Sequence, residues 1–269
     1  MKRVFLILLQ VWPVIVAAQA FEIPFEKRYD PQSALSGECG PVNFKVQWEQ
    51  NGAEATSQVI LLAANGRVLS RRKVRNHPHG AYCEHEPIRG VRTLQFVFGR
   101  GGSSVAVDML WYRVSPLRPL LSISLVTHAD LVSPTEFLDV DGDGQQEIIV
   151  RDGKLGSALC QSCDYDADTV EYLLCYSEAG YHECANQHAN RFRQLIEKGF
   201  SQLANPREQR HRLAWSLFIL FHAEQIGETE KTWARLEQVL QRDFLEKVNA
   251  RRPRITSALA LRDRSWSVQ

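Results

Sequence analysis

Most of the signatures that announce a reaction are missing from these 269 residues. There is no Gly-x-Ser-x-Gly elbow, no phosphate-cradling Gly-rich loop and no His-Glu-x-x-His helix, so the common serine-hydrolase, nucleotide-binding and zinc-peptidase patterns are excluded. Charge of one sign is not in excess either: 32 Lys and Arg oppose 31 Asp and Glu, which leaves no bulk field for nucleic acid or anionic lipid. No unit recurs at propeller or solenoid spacing. Cysteine is absent after Cys184, and the only long apolar run stands at the N-terminus, from Val4 to Ala17.

That run has a positive start in Lys2-Arg3 and a small-x-small site in Ala18-Gln19-Ala20. The pattern predicts a secretory signal peptide over residues 1–20, cleaved after Ala20, and hence a periplasmic or secreted protein. The run is too short to favour a membrane anchor, and no Cys stands at the cleavage site to carry lipid, so no stable membrane insertion is expected after cleavage. Removing residues 1–20 leaves a chain whose two parts differ in sign. Residues 21–185 carry 15 basic and 22 acidic side chains, a net of −7; residues 186–269 carry 15 and 9, a net of +6.

All six Cys lie in the acidic part, and an even count behind an export signal predicts disulfides. Cys39 and Cys83 bracket the first β-rich stretch and are expected to pair, for a stabilisation of roughly 3 to 4 kcal/mol. Cys160, Cys163, Cys175 and Cys184 allow three pairings, and the sequence does not choose among them. A four-thiolate zinc site is the lesser alternative for these four, because their spacing is loose and export favours oxidation.

From Pro41 the apolar residues alternate with polar ones, as in Val42-Asn-Phe44-Lys-Val46-Gln-Trp48, the mark of a half-buried strand. Further strands are expected at residues 58–63, 67–74, 92–98, 104–114, 120–127 and 170–176, with Asn65-Gly66 as a hairpin turn. After Cys184 the period becomes helical: Phe192, Leu195, Ile196, Phe200 and Leu203 share one face. A second, almost wholly apolar helix follows around Leu213–Phe221, and a third carries Trp233, Leu236, Leu240 and Phe244. The fold class expected is α+β: an N-terminal antiparallel β domain over residues 21–185, a sandwich, small barrel or partial propeller. A three-helix cap over residues 186–269, with a loosely ordered tail, completes it.

Against this frame one stretch is chemically specific, Asp139-Val-Asp141-Gly-Asp143-Gly144-Gln145-Gln-Glu147. Carboxylates at positions 1, 3, 5 and 9 of a tight loop repel one another unless a cation sits between them, and hard oxygen donors at that spacing suit calcium. The backbone carbonyl of Gln145, at position 7, is a further expected ligand. Position 12 is Val150, so the bidentate Glu of a helix-loop-helix hand is missing, and the flanking residues 135–139 and 147–151 read as strands. The loop resembles the Asp-x-Asp-x-Asp-Gly-x-x-Asp/Glu loop of FG-GAP and VCBS-type repeats, here in a single copy. The resemblance implies calcium on Asp139, Asp141, Asp143 and Glu147.

Other clusters have plainer explanations. Asp164, Asp166 and Asp168 echo the loop without its Gly and read as a solvated turn. His77, His79, Glu84, His85 and Glu86 read as a solvated loop beside a disulfide. Ser70 and Lys73, spaced like a nucleophile pair, point to opposite faces of a strand. The function expected is therefore an exported calcium-binding, non-enzymatic interaction module with a structural metal site and a protein or glycan partner, not nucleic acid. The alternative is a periplasmic or secreted hydrolase whose polar residues converge only in the folded chain.

Overall fold

The computed structural model describes residues 19–22, 34–51, 54–83, 90–99, 104–128, 135–153, 159, 170–205 and 211–267. Strands come first in the chain: β1 (Gln19–Glu22), β2 (Leu35–Cys39), β3 (Val42–Asn51), β4 (Glu54–Ala63), β5 (Val68–Arg75), β6 (His77–Cys83) and β7 (Thr93–Gly99). They continue with β8 (Ser104–Val114), β9 (Leu117–His128), β10 (Thr135–Leu138), β11 (Glu147–Asp152), β12 (Val170–Ser177) and β13 (Gly180–Glu183). Among the described residues five helices follow: α1 (Ala189–Ala204), α2 (Arg212–Gln225), α3 (Thr229–Val239), α4 (Arg242–Asn249) and α5 (Arg252–Ser265), with a short β14 (Trp266–Ser267) at the end. The class is α+β, as the periodicities predict.

Three open sheets carry the strands, in the orders β2-β3-β4-β5, β1-β6-β7-β8-β9-β14 and β10-β11-β12-β13. Period-two alternation explains the first. Val42, Phe44, Val46 and Trp48 are buried while Lys45, Gln47 and Glu49 are exposed. The register then sets Phe44 opposite Leu61 and Val46 opposite Val59. These side chains meet Leu94, Phe96, Leu110 and Tyr112 from the six-stranded sheet to form one core. Cys39 and Cys83 pair as expected, with Cα atoms 5.5 Å apart, and their disulfide ties the two sheets together.

The six-stranded sheet is covered on both faces, and β8 shows why. Leu110, Tyr112 and Val114 point into the core just described, whereas Val107, Met109 and Trp111 point into a second one. That second core also takes Ile148, Ile149 and Val150 of β11, Tyr172 and Leu174 of β12, and nearly all of α2. Because α2 is apolar around its circumference, it lies at the centre of the helices, with residues from Ala214 to Ala223 buried. Gly199 of α1 lets the two helices approach: a Cβ there would stand 2.5 Å from Ile219.

Three expectations need correction. His77–Cys83 is not a solvated loop but strand β6, paired with both β1 and β7, and neither His77 nor His79 is exposed. The third helix is interrupted at Leu240, which is extended (φ −109°, ψ 145°), and restarts as α4 so that buried Val248 can reach the helical core. The C-terminal tail is ordered: Ile255 and Ala258 of α5 are buried, and Trp266 pairs with Ile123 of β9. Of the expected signal peptide only Gln19 and Ala20 fall among the described residues; they pair with Cys83 and Tyr82, while Phe21 packs edge-on against Phe44 at 5.1 Å. Among the described residues no helix is long and apolar enough to cross a membrane.

Candidate metal centre

The aspartate-rich stretch is the connection of a hairpin. Strands β10 and β11 pair antiparallel with Leu138 opposite Glu147, so residues 139–146 form the loop. Gly142 and Gly144 take φ values of 81° and 87°, which a side chain would resist. With those two bends in place, the carboxylates turn inward to collect backbone N–H groups. Gly142 N–H donates to Asp139 Oδ1 at 2.7 Å, and Gly144 N–H to Asp139 Oδ2 at 3.0 Å. Asp143 N–H donates to Asp141 Oδ1 at 3.1 Å, and Gln145 N–H to Asp143 Oδ1 at 2.7 Å.

Glu147 stands at the floor of this loop, 4 % exposed, with Oε2 accepting the Val140 N–H at 2.7 Å. Asp139, Asp141 and Glu147 bring carboxylate oxygens within 4.8 Å of one another. Asp143 lies outside that trio: its oxygens accept from Gln145. Among the described residues none of the four carboxylates takes part in an ion pair. Burial, the larger cause, pushes the Glu147 carboxyl above its ordinary range; the Val140 N–H opposes this, the Asp141 charge adds to it and His188 pulls it back. Two unit charges at about 4.8 Å repel by roughly 1 kcal/mol even in water, and by several times that in a protein interior. The loop thus holds negative charge that its own side chains leave uncompensated.

An ion-pair chain fixes what faces the loop. Arg151 of β11 joins Glu136 of β10 at 2.6 Å and Glu171 of β12 at 3.5 Å; Glu171 in turn holds Arg191 of α1 at 2.7 Å. The first turn of α1 is thereby set across from the loop. Between them runs a cleft of about 630 Å³, with Asp139 and Asp141 on one wall and Gln187, His188, Asn190 and Gln194 on the other. Its described lining offers carboxylates, amides, an imidazole and two guanidinium groups but no hydroxyl or thiol. Such a set can coordinate a cation or hydrogen-bond a ligand, and among its described residues the side-chain oxygens able to attack are the Asp139 and Asp141 carboxylates.

His188 was not singled out by its sequence context. Its side chain is 8 % exposed, and Nε2 lies 3.3 Å from Sγ of Cys175, which is disulfide-bonded to Cys184. The signal available was a Cys followed four positions later by a His. The Cys175–Cys184 bond resolves one of the open pairings. Cys160 and Cys163, together with Asp164, Asp166, Asp168, Glu84, His85 and Glu86, lie outside the described residues. Ser70 sits opposite inward-facing Leu61 whereas Lys73 is exposed, so the two diverge as the alternation predicts.

The two disulfides point to an oxidising, non-cytoplasmic location. No family model matches the chain, and no curated protein and no solved structure matches it.

Proposed function

We propose that the protein is an exported calcium-binding interaction module without enzymatic activity, periplasmic or secreted, carrying one structural Ca²⁺ in the β10–β11 loop. Asp139, Asp141, Asp143, the Gln145 carbonyl and Glu147 are its ligands, in keeping with the resemblance to FG-GAP and VCBS-type loops. The observation that carries the reading is the convergence of Asp139, Asp141 and buried Glu147 with no cation partner among the described residues. Oxygen donors without nitrogen or sulfur favour calcium over zinc, and flexible loop ligands favour it over magnesium. Bound metal neutralises the loop and fixes the β10–β11 hairpin against α1, so that the adjoining cleft keeps a defined shape for a protein or glycan partner. The hydrolase alternative has less behind it: the carboxylates of that cleft's described lining, Asp139 and Asp141, are the ones this reading gives to the metal, and no hydroxyl or thiol stands beside them among the described residues.

With a dissociation constant of about 0.1 mM and about 1 mM free calcium, the metal adds about 1.4 kcal/mol of stability. Thermal unfolding with and without calcium tests this. The wild-type chain melts a few degrees higher in calcium and hardly shifts in magnesium, and Asp141→Ala loses the calcium shift. A melting shift of equal size in Asp141→Ala refutes the site.

A further inference from the structure

We propose that Cys175, Cys184 and His188 form a second metal site, for zinc, which opens when their disulfide is reduced. The two Sγ atoms and the His188 ring nitrogen lie within 4.8 Å of one another, and all three residues are buried. The donors come from three neighbouring pieces of backbone that do not depend on the sulfur–sulfur bond. Cys175 is inside β12, held opposite His182 of β13. Cys184 follows β13 directly, and its N–H donates to the Leu173 carbonyl at 3.2 Å. His188 is fixed by the turn that begins there: Gln187 N–H donates to the Cys184 carbonyl at 3.0 Å, and His188 N–H to the Ala185 carbonyl at 3.1 Å. Reduction therefore leaves two thiols and an imidazole side by side.

The geometry suits a tetrahedral ion. Zn–S and Zn–N bonds of about 2.3 and 2.0 Å place two sulfurs about 3.8 Å apart and a sulfur and nitrogen about 3.5 Å apart. Cys175 Sγ and His188 Nε2 already stand at 3.3 Å, so the main change required is for the two sulfurs to part. Because His188 also lines the cleft, water can take the fourth position. The steps balance with a dithiol donor: it gives up two electrons and two protons and becomes a disulfide, while the Cys175–Cys184 bond breaks to two thiols. Zn²⁺ then displaces both thiol protons to solvent and takes the lone pair of His188 Nε2. Thiolate and imidazole donors select zinc where the carboxylate loop selects a hard ion, so this site stands independently of the calcium reading. Its consequence is a redox gate: zinc captures the reduced form and slows its return to the disulfide.

The test uses the full chain carrying Cys160→Ser and Cys163→Ser, reduced with a dithiol, desalted without oxygen and titrated with Co²⁺ in millimolar calcium. One equivalent of cobalt is expected to give a thiolate charge-transfer band with tetrahedral visible bands, reversed by zinc. Cys184→Ser abolishes the band, His188→Ala weakens binding by at least about tenfold, and Asp141→Ala leaves it unchanged even where calcium binding is lost. Absence of the band overturns the proposal, and so does a band that persists in Cys184→Ser or at equal affinity in His188→Ala. Loss of the native near-UV circular dichroism in the presence of metal, under conditions that reduce Cys175–Cys184 and leave Cys39–Cys83 intact as read by peptide mapping, overturns it equally, because the site needs its scaffold intact.

Discussion

The two cores of the molecule are built from different material. Between the β2–β5 sheet and the central sheet, the buried cluster is aliphatic, aromatic and disulfide sulfur, from Leu35 and Phe44 to Phe96 and Val114. On the other side of the central sheet, Glu147, Asp152, His188, His222 and Arg262 are each less than a tenth exposed. Arg262 is paired there with Asp263 and Glu183, and His222 is hydrogen-bonded at both ring nitrogens, whereas burial raises the Glu147 pKa and so disfavours its charged form. The first core has no buried carboxylate, imidazole or guanidinium among its described residues, so its stability should vary little with pH, although its disulfide responds to reduction. The second places titratable groups in the interior, so its stability should vary with pH and, on the function proposed above, with calcium.

The largest test of this contrast is Cys39→Ser with Cys83→Ser. Opening a loop between residues 44 apart removes about 4 kcal/mol by the loop-entropy relation. Urea unfolding followed by linear extrapolation measures it. The loss is expected to be the same at pH 5 and pH 7 and with or without calcium; a calcium-dependent loss breaks the division between the cores.

Next in size is a pH effect centred on His222. This side chain is fully buried on α2, with its ring 4.1 Å from that of Phe218, and burial lowers its pKa from 6.5 to about 4. The neutral ring serves two backbone groups, with Nδ1 donating to the Phe218 carbonyl at 2.8 Å and Nε2 accepting the Glu171 N–H at 3.2 Å. The unfolded chain takes up its proton near 6.5 and the folded chain only near 4. The stability is full above pH 6.5 and is lost as pH falls toward 4, about 3 kcal/mol in all at roughly 1.4 kcal/mol per unit. His222→Gln keeps a donor and an acceptor but does not titrate, so its stability should be flatter over that window. An equally steep profile in the variant places the pH dependence elsewhere.

Slightly smaller is the effect of Cys175→Ser with Cys184→Ser, whose short separation of 9 residues gives about 2.6 kcal/mol by the same relation. Here the two regions should separate: this pair borders the cleft through His188, so its removal is expected to lower calcium affinity as well as stability, which the Cys39/Cys83 change does not do. Isothermal titration with calcium on both double variants reads the difference.

Much of the first core was legible from the chain alone, because strands such as β3 and β8 alternate cleanly and period two has one physical meaning. Strand β6 was not, since His77-Pro78-His79-Gly80 has the composition of a turn. Its place comes from β1 and β7 on either side, with Gly99 providing room where a Cβ would meet the His79 ring at 2.3 Å. Helix α5 was missed for a related reason. Its interior position rests on Ile255 and Ala258 meeting a core formed by distant residues, not on any stripe of its own. In the candidate site the hairpin and its carboxylates could be read from spacing. The cleft, the ion-pair chain through Glu171 and the approach of His188 to Cys175 could not, because each joins residues brought together only by the packing of α1 on the third sheet.

The finest test concerns which carboxylates matter. Spacing makes Asp139, Asp141, Asp143 and Glu147 equivalent, whereas the fold gathers Asp139, Asp141 and Glu147 and leaves Asp143 accepting from Gln145 at the exposed tip. Asp143→Asn keeps an oxygen for the Gln145 N–H and removes one negative charge. If that weakens calcium tenfold, the stabilisation at about 1 mM calcium falls from about 1.4 to about 0.4 kcal/mol, still a measurable shift. Glu147→Gln removes the buried charge that binding must compensate and is expected to abolish the shift altogether, as Asp141→Ala does. Equal residual shifts in Asp143→Asn and Glu147→Gln would mean that the four groups act as the linear spacing implies, and that burial of Glu147 contributes nothing to metal selection.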